Sequence, residues 1–346
     1  MSEPTLPSPQ IQAEAQKPTV SRRTAIITGV AAVGAAGVGV MARQRESVFV
    51  ARNQRYDGDL ETTVRDGLLL TGFDPQTIYR KRVLLKPNLV EPDRARPQMT
   101  THPAVILAVA HVFQHWGAEV VVGEAPGHVR DTMMALSESG VEERLQEAGI
   151  AFADLNYQQV QAVPNRGRRS KLKHFFFPES VLEASLVVSL PKMKTHHWMG
   201  MTGSLKNFYG VLPGCRYGWP KNVLHYHGIP ETIIDINASL PPTIAVVDGI
   251  ECMEGDGPIL GSAKQMGLLL VGGNLPAVDA TMARIMGLRP DRIPYLRLAR
   301  RSLGPIHEGR IAQCGEPWES VESPFQVLDR EHLRSMRAHA DGPLVT

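Results

Sequence analysis

"SLVVSLPKMK" (185–194) is the stretch that decides the fold. Leu186, Val187, Val188 and Leu190 put apolar side chains on both faces of an extended strand, and the small Ser189 interrupts neither. A strand half in water alternates apolar with polar residues, whereas one covered by helices on both sides reads as a continuous apolar run. The run stops at Pro191, and Lys192 and Lys194 follow at once.

The same reading extends outward. "RVLLKPNLV" (82–90), "AEVVVGEAPG" (118–127), "IAFADLN" (150–156), "TIAVVDGIE" (243–251) and "MGLLLVGG" (266–273) are further short apolar runs. Between them "PAVILAVAHVFQHWG" (103–117), "DTMMALSESGVEERLQEAG" (131–149), "IPETIIDINASL" (229–240) and "PAVDATMARIMG" (276–287) carry helical spacing. Alternation of this kind predicts an α/β fold: a mostly parallel sheet with helices on both faces, Rossmann-like and doubly wound. The basic segment "PNRGRRSKLKHFFFPES" (164–180) interrupts the rhythm and reads as a hairpin or a solvated excursion. After Gly304 no strong pattern appears through Pro324, so residues 306–346 are expected to wrap the surface as an extension of a domain spanning 46–305, with a frayed tail beyond Arg337.

Residues 1–45 are of another kind. Ser21-Arg22-Arg23 leads into an uncharged run of Ala, Gly and Val from Thr24 to Ala42, which looks like a twin-arginine export signal. Ala25 and Ile27 depart from the residues usual in that motif. The expectation is a protein that engages the twin-arginine translocation machinery and acts beyond the cytoplasmic membrane. The run is also just long enough for a single retained N-terminal anchor, and both readings stand.

The chain has 346 residues, 43% hydrophobic and 21% charged, with a formal net charge of +2. That balance is too small to imply nucleic acid or an anionic membrane surface as a partner, so any electrostatic role is local. Cys215, Cys252 and Cys314 are far apart, which excludes a disulfide framework and gives no zinc or iron–sulfur spacing. No nucleophile elbow, HExxH motif, Walker A loop or dinucleotide fingerprint occurs.

Polar residues collect where the apolar runs end, and in open α/β sheets ligands bind outside those strand ends. Lys86 and Asn88 follow one run, Glu124 another, and Asp248 a third, with Glu254 and Asp279 further on. The stretch from Pro191 to Gly210 holds Lys192, Lys194, His196, His197 and Lys206 with no Asp or Glu of its own. Buried ammonium groups must be paired or give up a proton, so structural ion pairs and a bound anion are both open. Thr202 and Gly203 precede a short helix from Ser204 whose amides suit a phosphate or carboxylate, beside Lys206 and Asn207. His196 and His225, with Glu124 or Asp248, are of the types that ligate a divalent metal, and "EGDGPILG" (254–261) resembles a carboxylate-bearing loop with Gly257 and Gly261 allowing close backbone approach. Each also reads as an ordinary structural residue or surface turn. Lys192 or Lys194, desolvated beside the other, is a candidate base or imine-forming amine.

"LLKPNLV", "TTHPAVILAV", "GEAPG", "SLPKMKTHHWMGMTGSLKNFYGVLPG", "VVDGIECMEGDGPILG" and "NLPAVDATMARIMG" together resemble domain-of-unknown-function family 362 over roughly residues 80–303. The resemblance implies the α/β fold and marks Lys86, Asn88, Glu124, Lys192, Lys194, His196, Lys206, Asn207, His225, Asp248, Gly257, Gly261 and Asp279. Some members are called iron–sulfur center proteins; this chain lacks the clustered cysteines, so that cofactor is not carried over. The expectation is an exported or anchored enzyme for a small anionic substrate. Lys192, Lys194, His196 and Asp248 would be catalytic, Lys86, Asn88, Thr202, Gly203, Lys206, Asn207, Gly257 and Gly261 would bind the anion, and Glu124, His225, Glu254 and Asp279 would hold a divalent metal. The alternatives are a non-catalytic anion- or metal-binding accessory protein and, more weakly, a redox-associated protein without the cluster.

Overall fold

The computed structural model describes residues 45–128 and 130–345, so the export signal or anchor expected at the N-terminus lies outside the described residues. In chain order the strands are β1 (Glu46–Ala51), β2 (Arg82–Pro87), β3 (Glu119–Glu124), β4 (Ala151–Asp154), β5 (Val160–Pro164) and β6 (His174–Pro178). There follow β7 (Leu186–Leu190), β8 (Lys192–His196), β9 (Gly200–Thr202), β10 (Thr243–Glu254), β11 (Ser262–Gly272) and β12 (Ile311–Gly315). The main sheet runs β12-β1-β11-β10-β7-β2-β3-β4. From β10 through β7, β2 and β3 to β4 every pairing is parallel, while β11 is antiparallel to both its neighbours.

Successive residues of the central strands enter opposite cores. Val83, Leu85, Val188, Val246 and Leu269 pack with helices Leu60–Leu70 and Pro103–His115 on one face. Leu84, Val187, Val247 and Leu270 pack on the other with helices Ile229–Ser239, Leu275–Ile285 and Pro294–Ala299. This two-sided burial is why the strands read as unbroken apolar runs, and the expected α/β class holds. Strand order reverses at β2: the chain first builds outward to β3 and β4, then returns to place β7 on the other side. In open α/β sheets the carboxyl ends of the strands beside such a switch point are where ligands bind.

Two local readings differ, and a third, the basic segment, takes the first of its two alternatives. The stretch 185–194 is two strands, because Pro191 cannot donate to a ladder and the chain there leaves β2, keeps β10 and gains β9. The basic segment is the β5–β6 hairpin, whose loop wraps the buried Asp235 carboxylate: Arg169 N, Ser170 N and Asn165 Nδ2 each donate to it at 2.7 Å. In the C-terminal stretch, β12 joins the main sheet beside β1, and Leu344–Val345 pairs with Val327–Leu328 instead of fraying. Two-residue ladders carry no periodicity in sequence. Among the described residues no helix is long and apolar enough to cross a membrane.

Candidate functional site

The basic stretch reaches the switch point by doubling back. β8 pairs with β10 on one side (Asp248 opposite Lys192) and with β9 on the other (Lys194 opposite Thr202). The turn between β8 and β9 sets Trp198 outward, and the chain returns through Thr202 to a helical turn at Ser204–Asn207. Asp279 fixes that turn. Its Oδ1 accepts from Ser204 N and Ser204 Oγ at 2.6 Å each, and its Oδ2 accepts from Leu205 N at 3.2 Å. A side chain at Gly203 would collide with the Asp279 carboxylate. The amides expected to receive an anion are therefore taken by a carboxylate of the protein, and burial pushes that carboxyl up to about 6.

Beside this turn a cavity of about 150 Å³ opens at the ends of β2 and β3, enough for a guest of roughly benzene's bulk. Its floor is a buried polar network. Lys86 Nζ donates to Glu124 Oε2 and to Pro87 O, each at 2.5 Å, and Glu124 also accepts from Leu89 N and Ala125 N. Asn207 Nδ2 donates to Lys86 O at 2.9 Å and to Ser189 Oγ at 3.1 Å, which turns its Oδ1 toward Asn88 Nδ2 at 3.1 Å. With its amide nitrogen so engaged, Asn88 is left with a buried Oδ1 that has no hydrogen-bond partner, and Thr202 Oγ1 is in the same condition. Both residues line the cavity. Buried polar atoms are nearly always paired, so two unpaired ones on residues of a single wall are unusual.

The cavity is electropositive. Lys206 lies over the Tyr209 ring, its Nζ 5.3 Å from the centroid, and among the described residues no carboxylate or hydrogen-bond acceptor reaches that nitrogen. Burial draws its pKa down to about 8. Its charge adds to burial in lowering the pKa of Lys194, His128, His196, His197 and His225, the last to about 4. His196 Nδ1 accepts from Trp198 N at 3.1 Å, so the neutral ring carries its proton on Nε2. Lys221, in the left-handed region at φ 67°, donates to Ala125 O at 2.8 Å and to Leu212 O, and burial brings it to about 7. Glu124, already bound to Lys86, is the one carboxylate on the described wall.

The sequence-derived candidates thus divide. Lys86, Asn88, Glu124, His196, Thr202, Lys206, Asn207 and His225 come together on the cavity wall. Lys192 and Asp248 do not: they form a fully buried ion pair at 2.6 Å, closed over by Tyr56, which donates to Asp248 Oδ1 at 3.1 Å and accepts from Lys192 Nζ at 2.9 Å. Lys194 is buried and donates to Met99 O at 2.7 Å. Gly257 packs on Thr195 O and Gly261 on Glu254 O, so their missing side chains admit backbone and not an anion. Glu254 accepts from Gln326 N at 3.0 Å and pairs with Lys264 at 3.2 Å, away from the cavity. With Asp279 capping a turn, the four carboxylate and imidazole groups expected around a metal do not converge, and no group of three His, Cys, Asp or Glu placed for one occurs among the described residues. Lys221, His128, Trp198, Tyr209 and Gly210 are wall residues that sequence reasoning missed. Gly210 alone carried a signal, as the glycine closing the Leu-Lys-Asn-x-x-Gly block.

A family described as "Domain of unknown function (DUF362)" matches residues 83–284, a span that contains most of this wall. Thylakoid-associated protein sll1697 of Synechocystis sp. is 28% identical over 292 residues, covering 82% of this chain and 88% of that protein. Among solved structures, the lactate racemase apoprotein of Thermoanaerobacterium thermosaccharolyticum aligns with 71% of this chain at 14% identity and a TM-score of 0.40. The chain spans 58% of that protein's length.

Proposed function

The chain belongs to the DUF362 family, and from that premise we propose that its cavity binds a small organic or inorganic anion, a carboxylate or a phosphate, as the substrate of an enzyme. The observation that carries this reading is Lys206: a partly buried ammonium with no counter-charge among the described residues, on the same wall as the unpaired Asn88 Oδ1 and Thr202 Oγ1. A cation drawn partly out of water without a counter-charge carries a desolvation cost, and a bound anion relieves it. In this reading Lys206 and the Thr202 hydroxyl hold the anion, while Asn88 Oδ1 accepts from a hydroxyl or amine of the ligand. Lys221, held near neutrality, and the neutral His196 ring are the groups suited to move a proton at the bound molecule. No metal has a role in this proposal, because Glu254 and Asp279 are committed to Lys264 and to the Ser204 turn. The twin-arginine reading of residues 21–42 would place this chemistry outside the cytoplasmic membrane.

Calorimetric titration at pH 7 with phosphate and with acetate tests the proposal, comparing wild type with Lys206→Ala and using circular dichroism to confirm that the variant is folded. Stoichiometric binding lost in the variant is the expected result. No binding by wild type, or equal binding by both, overturns it. Retention of a ligand through purification without turnover would make the chain an anion carrier instead of an enzyme.

A further inference from the structure

We propose that the ligand is an amphiphile, with its anionic head at Lys206 and an apolar or aromatic body passing out past Trp198. The inference rests on the anion reading above and specifies the class of molecule. It comes from the way polarity is layered. Polar and charged side chains lie at the bottom: Lys86, Asn88, Glu124, Thr202 and Lys221 are all buried. Toward water the wall adds the apolar Val90, Trp198, Pro220, Pro258 and Ile259, set among the imidazoles of His128, His197 and His225 and the Lys206 side chain. Trp198 is 46% exposed and stands edge-on to His225, with ring centroids 5.7 Å apart.

The apolar character continues past the lip. Leu260, next to the rim residue Ile259, is 69% exposed, and Tyr226, next to His225, is 88% exposed. A site built for phosphate alone gains nothing from the apolar side chains that stand among these imidazoles. Trp198, a large apolar side chain exposed on the wall of a cavity, marks a contact with something apolar. The unpartnered Lys206 ammonium on the same wall sets the sign of the head group. A molecule with a negative end and a hydrocarbon or ring body satisfies both layers at once, and the cavity's about 150 Å³ suits a head and the first part of a body, with the remainder on the rim.

Titration of the full chain with acetate, butyrate, hexanoate and octanoate, and in parallel with phosphate, butyl phosphate and octyl phosphate, tests this and separates the two head groups. Affinity should rise roughly three- to fourfold per methylene over the shorter members, the transfer value for buried CH₂. Trp198→Ala and Ile259→Asn should each flatten that rise, read as the ratio of octanoate to acetate affinity. Lys206→Ala should remove binding of the whole series. Acetate or phosphate bound through Lys206 with no dependence on chain length overturns the amphiphile inference and leaves the anion reading in place. Chain-length dependence that survives Lys206→Ala, or no binding by any member, overturns both.

Discussion

Lys86 Nζ and Glu124 Oε2 meet at 2.5 Å in the buried floor of the cavity, and the space they occupy exists because residue 210 has no side chain. A Cβ on Gly210 would overlap both partners, while Gly210 O accepts from Ala125 N at 2.8 Å and holds the backbone in place. The atoms such a Cβ would meet are the tips of those two side chains, and because both are locked in the buried pair, Gly210→Ala is accommodated only by disturbing that pair. We expect a loss of about 1–3 kcal/mol, the usual range for overpacking, measured by urea unfolding. Anion affinity should fall with it, because displacing Lys86 moves Asn207 and Asn88.

Anion binding should depend on pH with a definite sign. The binding form of Lys206 is the ammonium, and its free-state pKa is about 8. Affinity should therefore fall roughly tenfold per unit above pH 8, as each binding event must take up a proton. A shallower decline should begin near 7, where Lys221 loses its charge. The neighbouring His225, near 4, does not titrate in this window. Phosphate or acetate titrations at intervals from pH 6 to 10 would measure both steps.

Asp279 gives a second pH signature, in stability. Its folded pKa, about 6, lies above the ordinary 3.8, so the folded state holds the proton more tightly than the unfolded chain. The sign follows: stability from this group is greatest below pH 4 and is lost as pH rises to about 6. In Asp279→Asn that dependence disappears. The stability of wild type relative to the variant should drop by on the order of 3 kcal/mol between pH 4 and pH 7. Superimposed on it is a loss of about 1–3 kcal/mol at every pH from weakening the bonds to Ser204 and Leu205. Paired unfolding curves at the two pH values separate the terms.

Lys192 and Asp248 should behave as structure and not as part of the anion site. Asp248→Ala strands a buried ammonium and should cost about 3–5 kcal/mol. A double replacement, Lys192→Met with Asp248→Leu, should recover much of that loss. Anion affinity, measured below the melting temperature of each variant, should stay close to wild type. Loss of affinity in a well-folded double variant would show that the pair belongs to the site.

Much of this arrangement is legible from sequence because it follows from one-dimensional pattern. Runs such as Leu186–Leu190 are apolar on both faces, and the layered sheet follows from that. The strand-end rule then brings Lys86, Asn88, Glu124 and Lys206 to one crevice. What pattern does not carry is pairing across the fold. Lys192, Lys194 and His196 share a strand and look equivalent, yet Asp248 claims the first, Met99 O the second, and only the third reaches the cavity. The amides at Ser204 and Leu205 look vacant until a helix 75 residues later delivers Asp279 to Ser204. Lys221 enters through a turn with left-handed backbone at a non-glycine residue, which no periodicity announces.

The most direct test of the account is the titration of Lys206 itself, followed by NMR of selectively labelled lysine side chains in the free protein and with saturating phosphate, and assigned with Lys206→Arg. The account predicts a midpoint near 8 in the free protein, moving upward when the anion binds. A midpoint at the ordinary lysine value, unmoved by phosphate, would contradict it.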